Sequence, residues 1–421
     1  MAQLIRRQCS AFLLNAVSVN PNAELLASLR DQIRHPEAWD EFVLHANRNR
    51  VAGLVLHNLN QIACQELIPE SAREAMRSRA AIFVDKYEIA IQDLAAIHAS
   101  FTHANLPYLL FKGAALVATV YPNAGLRPFA DYDLLVERSR IDHAASLLEQ
   151  LGYGSTDPLP RKYYLRFHLH LTYSRKTPRA NIDLHWSFVG PYDLVTVDYH
   201  TLIRRARVLS DSPLPCPILS PADQVLVNAI HLHKHLSYLL PVLGHPDLSR
   251  YVADSKYLIL ACDFVRLLRH YTASHPIDEL TEQMKMWNVS DKLQFCALLC
   301  RALWEEEEHL TPLLHELRVK RRASGRLLAG FLASWTGLSH KPSRLSGVTP
   351  TRLLTLPVVF FPGSELLERY YRAKTPGAVL LRRIVHPLRL GLLMCMNLAC
   401  CLAGWARIAA KTGWSKLHRP R

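Results

Sequence analysis

The sequence predicts an α+β protein: a small core of strands and helices set in a predominantly helical chain. Three observations predict it. Residues 1–100 carry apolar side chains at three- and four-residue spacing with few glycines, which is the helical period. Residues 106–188 break into short apolar or alternating runs separated by turn formers, which is the pattern of strands. After Ala222 the helical period returns and continues to about residue 336. A chain of 421 residues has room for two or three domains, and 49% hydrophobic against 20% charged residues predicts packed cores.

The elements follow in order. The N-terminus, "MAQLIRRQCSAFLLNAVSVN", has arginines before an apolar run, as a leader does. Asn15 interrupts the run and no small-residue cleavage site follows, so a first helix is expected. "AELLASLRDQI", "AWDEFVLHANRNRVAGLVLHNLNQI" and "AREAMRSRAAIFVDKYEIAIQDLAAIHASFTHA" continue as helices. "LPYLLF" has strand length, closes at Lys112-Gly113 and leads into the helical "AALVATVY". "NAGLRP" is a loop, "DYDLLV" a strand, and "SRIDHAASLLEQLGY" a helix with Ser139 as its cap. "RFHLHLTY" and "NIDLHWSF" alternate as strands around the turn "RKTPRA". A proline-rich connection covers 209–223. The expected domains are 1–103 helical, 104–208 the strand-bearing core, 209–336 a helical domain beside it, and 337–421 a basic C-terminal region ending in an apolar helix.

Chemistry concentrates in "LRPFADYDLLVE". Side chains at i and i+2 of a strand share a face, so Asp131 and Asp133 present two carboxylates together. Adjacent carboxylates repel and are costly to desolvate, so a positive charge is expected between them. The same alternation sets Asp183 between inward-facing Ile182 and Leu184. If that strand lies beside 131–136, three carboxylates converge, a hard oxygen set suited to Mg²⁺. Two such ions can clamp the attacking and leaving oxygens of an in-line displacement at phosphorus. Lys112-Gly113, a turn from strand into helix, favours an anion at the helix start, with Lys112 as a point charge. Arg127 can reach the same anion through two hydrogen bonds. A lone DxD is more often a solvated acidic pair at a strand end, and these surroundings raise the metal reading above that.

The run "LPYLLFKGAALVATVYPNAGLRPFADYDLLV" followed by "NIDLHWSF" resembles the nucleotidyltransferase superfamily with the DNA polymerase β-like fold, and more narrowly its bacterial uncharacterised nucleotidyltransferase-5 family. "AWDEFVLHANRNRVAGLVLHNL", "SPADQVLVNAIHLHKH" and "VVFFPGSELLERYYRA" extend the resemblance over most of the chain. It implies a small mixed sheet, whose strand order alternation alone does not give. It also implies Asp131 and Asp133 as the metal pair and Asp183 as third ligand and base. Gly113 is then the glycine that lets backbone approach a triphosphate, and Lys112 the family's own lysine. A Lys-Gly turn stands where better-known members have Gly-Ser, so binding of the NTP donor, ATP or another, must differ in part. The acceptor is left open as protein, RNA or small molecule. The alternatives are a catalytically inactive NTP-binding protein and a membrane-surface partner of the same fold.

Other candidates are weaker. In "HLHKH", His231 and His235 share a helix face at zinc-ligand spacing, but no glutamate follows His231 and no third ligand is evident. His231 and His185 are expected beside the site or in ordinary packing. Nine cysteines without a CxxC pair argue for a reducing, cytoplasmic setting. The net charge of +14 belongs to the C-terminal quarter, where 19 Lys and Arg meet two acids from Arg318 onward. A polyanion partner for 318–421, nucleic acid or an anionic membrane surface, is weighed there against a solvated basic face. The uncharged run 390–406 is expected to be buried or to lie at a membrane surface, being short for a span.

Overall fold

The computed structural model describes residues 2–33, 35–157, 161–175, 180–190, 193, 195–237, 248–304 and 308–317, with Val385 and Leu388. The expectations for 337–421, the terminal apolar helix among them, lie outside the described residues apart from those two. The chain divides into two compact units. The smaller comprises 156–171, 189–194 and 320–421, the larger everything else up to Val319.

The larger unit begins with helices α1 (Ala2–Val17), α2 (Ala23–Gln32), α3 (Glu37–Arg48), α4 (Ala52–Gln61) and α5 (Glu70–His103). The expected first helix is α1, and it buries Phe12 and Leu13 completely. The Phe12, Trp39 and Phe42 rings meet edge to face at 5.4–5.8 Å, the favoured aromatic geometry, and lock α1 to α3. Asn49, just past α3, donates from Nδ2 to the carbonyl of Ala253 at 2.6 Å and accepts from the Leu258 N–H at 3.2 Å. It thereby satisfies buried backbone groups of segments far along the chain.

Strand β1 (Tyr108–Phe111) leads to α6 (Gly113–Val120), then β2 (Asp131–Val136), α7 (Ile141–Gln150) and β3 (Gly154–Ser155). In the smaller unit α8 (Arg161–Phe167) follows, with the Tyr164 ring 5.6 Å from that of His168. Strands β4 (His170–Ser174) and β5 (Asn181–His185) complete one five-stranded sheet in the order β1-β2-β5-β4-β3. The sheet is mixed: β1 and β2 are antiparallel, β2 and β5 parallel. Two expectations need correction. The strand read from Arg166 begins only at His170, because Arg166 and Phe167 close α8. Ser139 does not cap α7, which is preceded by a 3-10 turn at Arg138–Arg140 and has no side-chain cap.

The helical remainder is α9 (Tyr199–Arg204), α10 (Pro221–Leu236), α11 (Leu248–Asp254), α12 (Leu258–Thr272), α13 (Ile277–Trp287), α14 (Ser290–Leu303) and α15 (Leu310–Glu316). Ser220 caps α10 by accepting from the Asp223 N–H, and Pro221 opens its first turn where no N–H is needed. The proline-rich connection is more than a linker. Leu110 N–H donates to the Pro217 carbonyl at 2.8 Å, and Ile218 exchanges bonds with Arg207, so the segment covers the outer edge of β1. No helix among the described residues is long and apolar enough to cross a membrane.

Candidate active site

The site grows from the strand ends. At the exit of β1, Lys112 takes φ 57° and ψ −136°, a region costly for a residue with a side chain. The next position must be glycine, because a Cβ on Gly113 would lie 2.7 Å from the Cβ of Phe129. This turn sends the Lys112 side chain back over the strand. Its Nζ donates to Asp133 Oδ1 at 2.6 Å and lies 4.8 Å from the Phe111 ring centre.

The register sets the remaining groups beside it. Phe111 pairs with Asp133 across β1 and β2, and Asp133 pairs with Asp183 across β2 and β5. Paired neighbours share a face of the sheet, so Asp131, Asp133, Asp183 and His185 project together. Tyr132 projects oppositely, and its hydroxyl donates to buried Asp93 of α5 at 3.2 Å. His185 Nε2 lies 2.9 Å from Asp133 Oδ1, and the ring stands 5.0 Å from that of Phe111, edge to face. Thr172 donates from Oγ1 to Asp183 Oδ1 at 3.1 Å.

The electrostatics are uneven. Burial pushes the Asp133 carboxyl up, but Lys112 and the His185 hydrogen bond outweigh it and bring it down to about 2. Asp131 is pushed up to about 6 by burial and then by the charges of Asp133 and Asp183, which Lys112 and Arg50 offset only in part. Burial, helped by Lys112, lowers His185 despite Asp133. The ring is therefore neutral at pH 7, and its Nε2–H donates a hydrogen bond to the ionised Asp133 carboxylate. The three carboxylates of this face thus share less positive charge than their number.

The charge of Lys112 also reaches His231 of α10. Burial, then Lys112, holds its pKa well below the usual value. Its ring meets His235 at 4.7 Å, and His235 stacks on Tyr257 at 4.3 Å, while His233 turns into the core against Phe295. Among the described residues, no group able to hold a metal includes His231 or His235.

Arg127 is directed elsewhere. Instead of facing an anion, it is buried and grips Asp263: Nε donates to Oδ1 at 2.7 Å and Nη2 to Oδ2 at 2.7 Å. Its Nη1 donates to the Pro128 carbonyl at 2.7 Å. A carboxylate with no exposure, in α12, uses the fork that was expected to hold phosphate.

Against known families, residues 35–305 match the model of a family described as uncharacterised nucleotidyltransferase. The chain belongs to that family. No curated protein matches it. The nucleotidyltransferase match covers the sheet, the Lys-Gly turn and all three aspartates together with α3 to α14. Reading the sequence did not find Arg50, whose charge reaches Asp131, nor Thr172, which fixes Asp183. Thr172 had a signal, since it stands in an alternating strand. Arg50 had none, because it comes from the turn after α3, far from the strands in sequence.

Proposed function

We propose that this protein transfers a nucleoside monophosphate from an NTP to a hydroxyl or phosphate oxygen of an acceptor, releasing pyrophosphate. The observation that carries the reading is the register pairing of Asp133 with Asp183, with Asp131 on the same face two residues back. Asp131, Asp133 and Asp183 would hold two Mg²⁺ ions, which supply neutralisation of the triphosphate and of the leaving pyrophosphate. The chain's own groups do the rest. Asp183, oriented by Thr172, accepts the proton of an acceptor hydroxyl as its oxygen bonds to the α-phosphorus. The bond from that phosphorus to the bridging oxygen breaks, and its electron pair leaves with pyrophosphate. A phosphate acceptor, already ionised, needs no proton removed. Lys112 and the first N–H groups of α6, with Gly113 opening the backbone, favour phosphate oxygens beside the carboxylates. His185 holds Asp133 in place.

An inactive binding relative would keep the fold with Asp183 turned away. Its placement beside Asp133 favours the enzyme. The test is incubation with each of four α-³²P-labelled NTPs and Mg²⁺, with and without cell extract. Label is expected on an acceptor with the intact chain and none with a folded Asp131→Ala variant. Equal labelling by the variant overturns the proposal. Absence of transfer, with Mg²⁺-dependent NTP binding lost in the variant, replaces it by the binding-protein reading.

A further inference from the structure

Next to the carboxylates, but formed by other residues, is a cavity of about 230 Å³ bounded by α3, α4, α5 and the loop that enters β2. That space admits several water molecules, and so a small anion. Its lining includes Arg48, Arg50, Arg79 and Lys86, with the rings of Phe83 and Phe129, and no Asp or Glu. Ala130 also lines it, so it ends one residue from Asp131.

Arg50 acts on Asp131 through its charge, without an ion pair. On α5, Arg73 and Arg77 are bound to Glu70 and Glu74. Arg79 and Lys86 lie two turns apart on the same helix, with Phe83 between them, and both rest over its ring, at 5.1 and 5.4 Å. Among the described residues, none of the four makes an ion pair or a side-chain hydrogen bond. Four like charges around one cavity repel, and an anion relieves that repulsion. The wall is also built closely. A Cβ on Gly53 of α4 would collide with the Gly125 carbonyl, so helix and loop meet backbone to backbone.

We infer that this cavity binds an oligophosphate group without a metal ion, gripped by Arg48, Arg50, Arg79 and Lys86 beside the carboxylate cluster. The inference rests on the transfer reading only in making that group part of a substrate, either the far end of the donor's triphosphate or a phosphorylated acceptor.

The test uses the full chain and inorganic pyrophosphate in EDTA, followed by titration calorimetry. Pyrophosphate is expected to bind the wild type and to bind Arg79→Ala/Lys86→Ala at least tenfold more weakly. Both side chains are exposed, so an unchanged melting temperature checks the fold. Asp131→Asn/Asp133→Asn is expected to retain binding or tighten it, since it removes negative charge nearby. Adding Mg²⁺ and α,β-methylene-ATP then distinguishes the two sources. Displacement of pyrophosphate assigns the cavity to the donor, and simultaneous binding assigns it to an acceptor; either supports the inference. No binding in EDTA, or equal binding by the Arg79/Lys86 variant, overturns it. A chain that binds pyrophosphate here yet transfers no label loses the transfer reading and keeps the cavity.

Discussion

Arg127 with Asp263 and Lys112 with Asp133 are both ion pairs on a buried carboxylate, and they differ in how completely each carboxylate is matched. Asp263 receives a two-pronged grip from Arg127 and a 2.6 Å hydrogen bond from the Tyr121 hydroxyl. Burial alone would lower the Arg127 pKa, but Asp263 outweighs it and raises it. That pair is closed, and it ties the loop before β2 to α12. Lys112, by contrast, serves one of three carboxylates and leaves Asp131 protonating near pH 6. Asp263 and Asp133 are both buried, so burial of the acid does not separate a structural charge from one poised for chemistry. The ratio of carboxylates to cations does.

The comparison is broken most decisively at the open cluster. Asp133→Asn should lower transfer at least about 10³-fold, the scale of removing one main electrostatic contributor, while the protein still melts cooperatively. The labelled-NTP assay, run beside a thermal melt, checks this. A variant that transfers normally would make Asp133 as structural as Asp263. The converse substitution, Asp263→Ala, leaves the Arg127 charge buried without its partner and should cost about 3–5 kcal/mol of unfolding free energy. Urea unfolding of the two proteins measures it, and a loss below about 1 kcal/mol would show that the pair is not closed in the sense argued.

Which parts of this were legible in the sequence follows from the range of each interaction. Asp131 and Asp133 could be assigned to one strand face, and Asp183 to the face opposite Ile182 and Leu184, because side-chain direction in a strand is a local, period-two property. Their convergence could not, since pairing of β2 with β5 brings together residues about 50 positions apart. Arg127 failed for the same reason: its partner, Asp263, lies 136 residues on, and nothing near either residue announces the other. The error at Arg166 and Phe167 is of another kind, as a short alternating run fits one helical turn as well as a strand. β3, two residues long, is too short to leave a pattern. The basic cavity draws on α3, α4, α5 and a loop, each unremarkable alone.

A smaller effect is expected at the turn that carries Lys112. Gly113→Ala places a Cβ against Phe129 and should cost about 1–3 kcal/mol as the loop before β2 shifts. Because that loop leads directly to Asp131, transfer should fall with stability in this variant, whereas Asp263→Ala, in its folded fraction, should keep more of it. Urea unfolding and the transfer assay on the same preparation read both.

The finest distinction lies in the pH dependence of the metal-free chain. Asp131 protonates at about 6 in the fold against the ordinary 3.8, so between these values the folded state binds the extra proton. Its contribution to stability is therefore lost as pH rises from about 4 to 6, and above 6 its full charge opposes folding. Asp133, brought down to about 2, acts oppositely and in a lower window: its contribution is present above about 4 and is lost as pH falls toward 2. Asp131→Asn removes only the first effect. In EDTA at pH 7 it should be more stable than the wild type by about 1–2 kcal/mol, after allowance for the partial solvent exposure of Asp131. Its stability should also change less between pH 4 and 7. Urea unfolding at several pH values measures both, and a variant less stable than the wild type at pH 7 would mean that the three carboxylates are not short of positive charge.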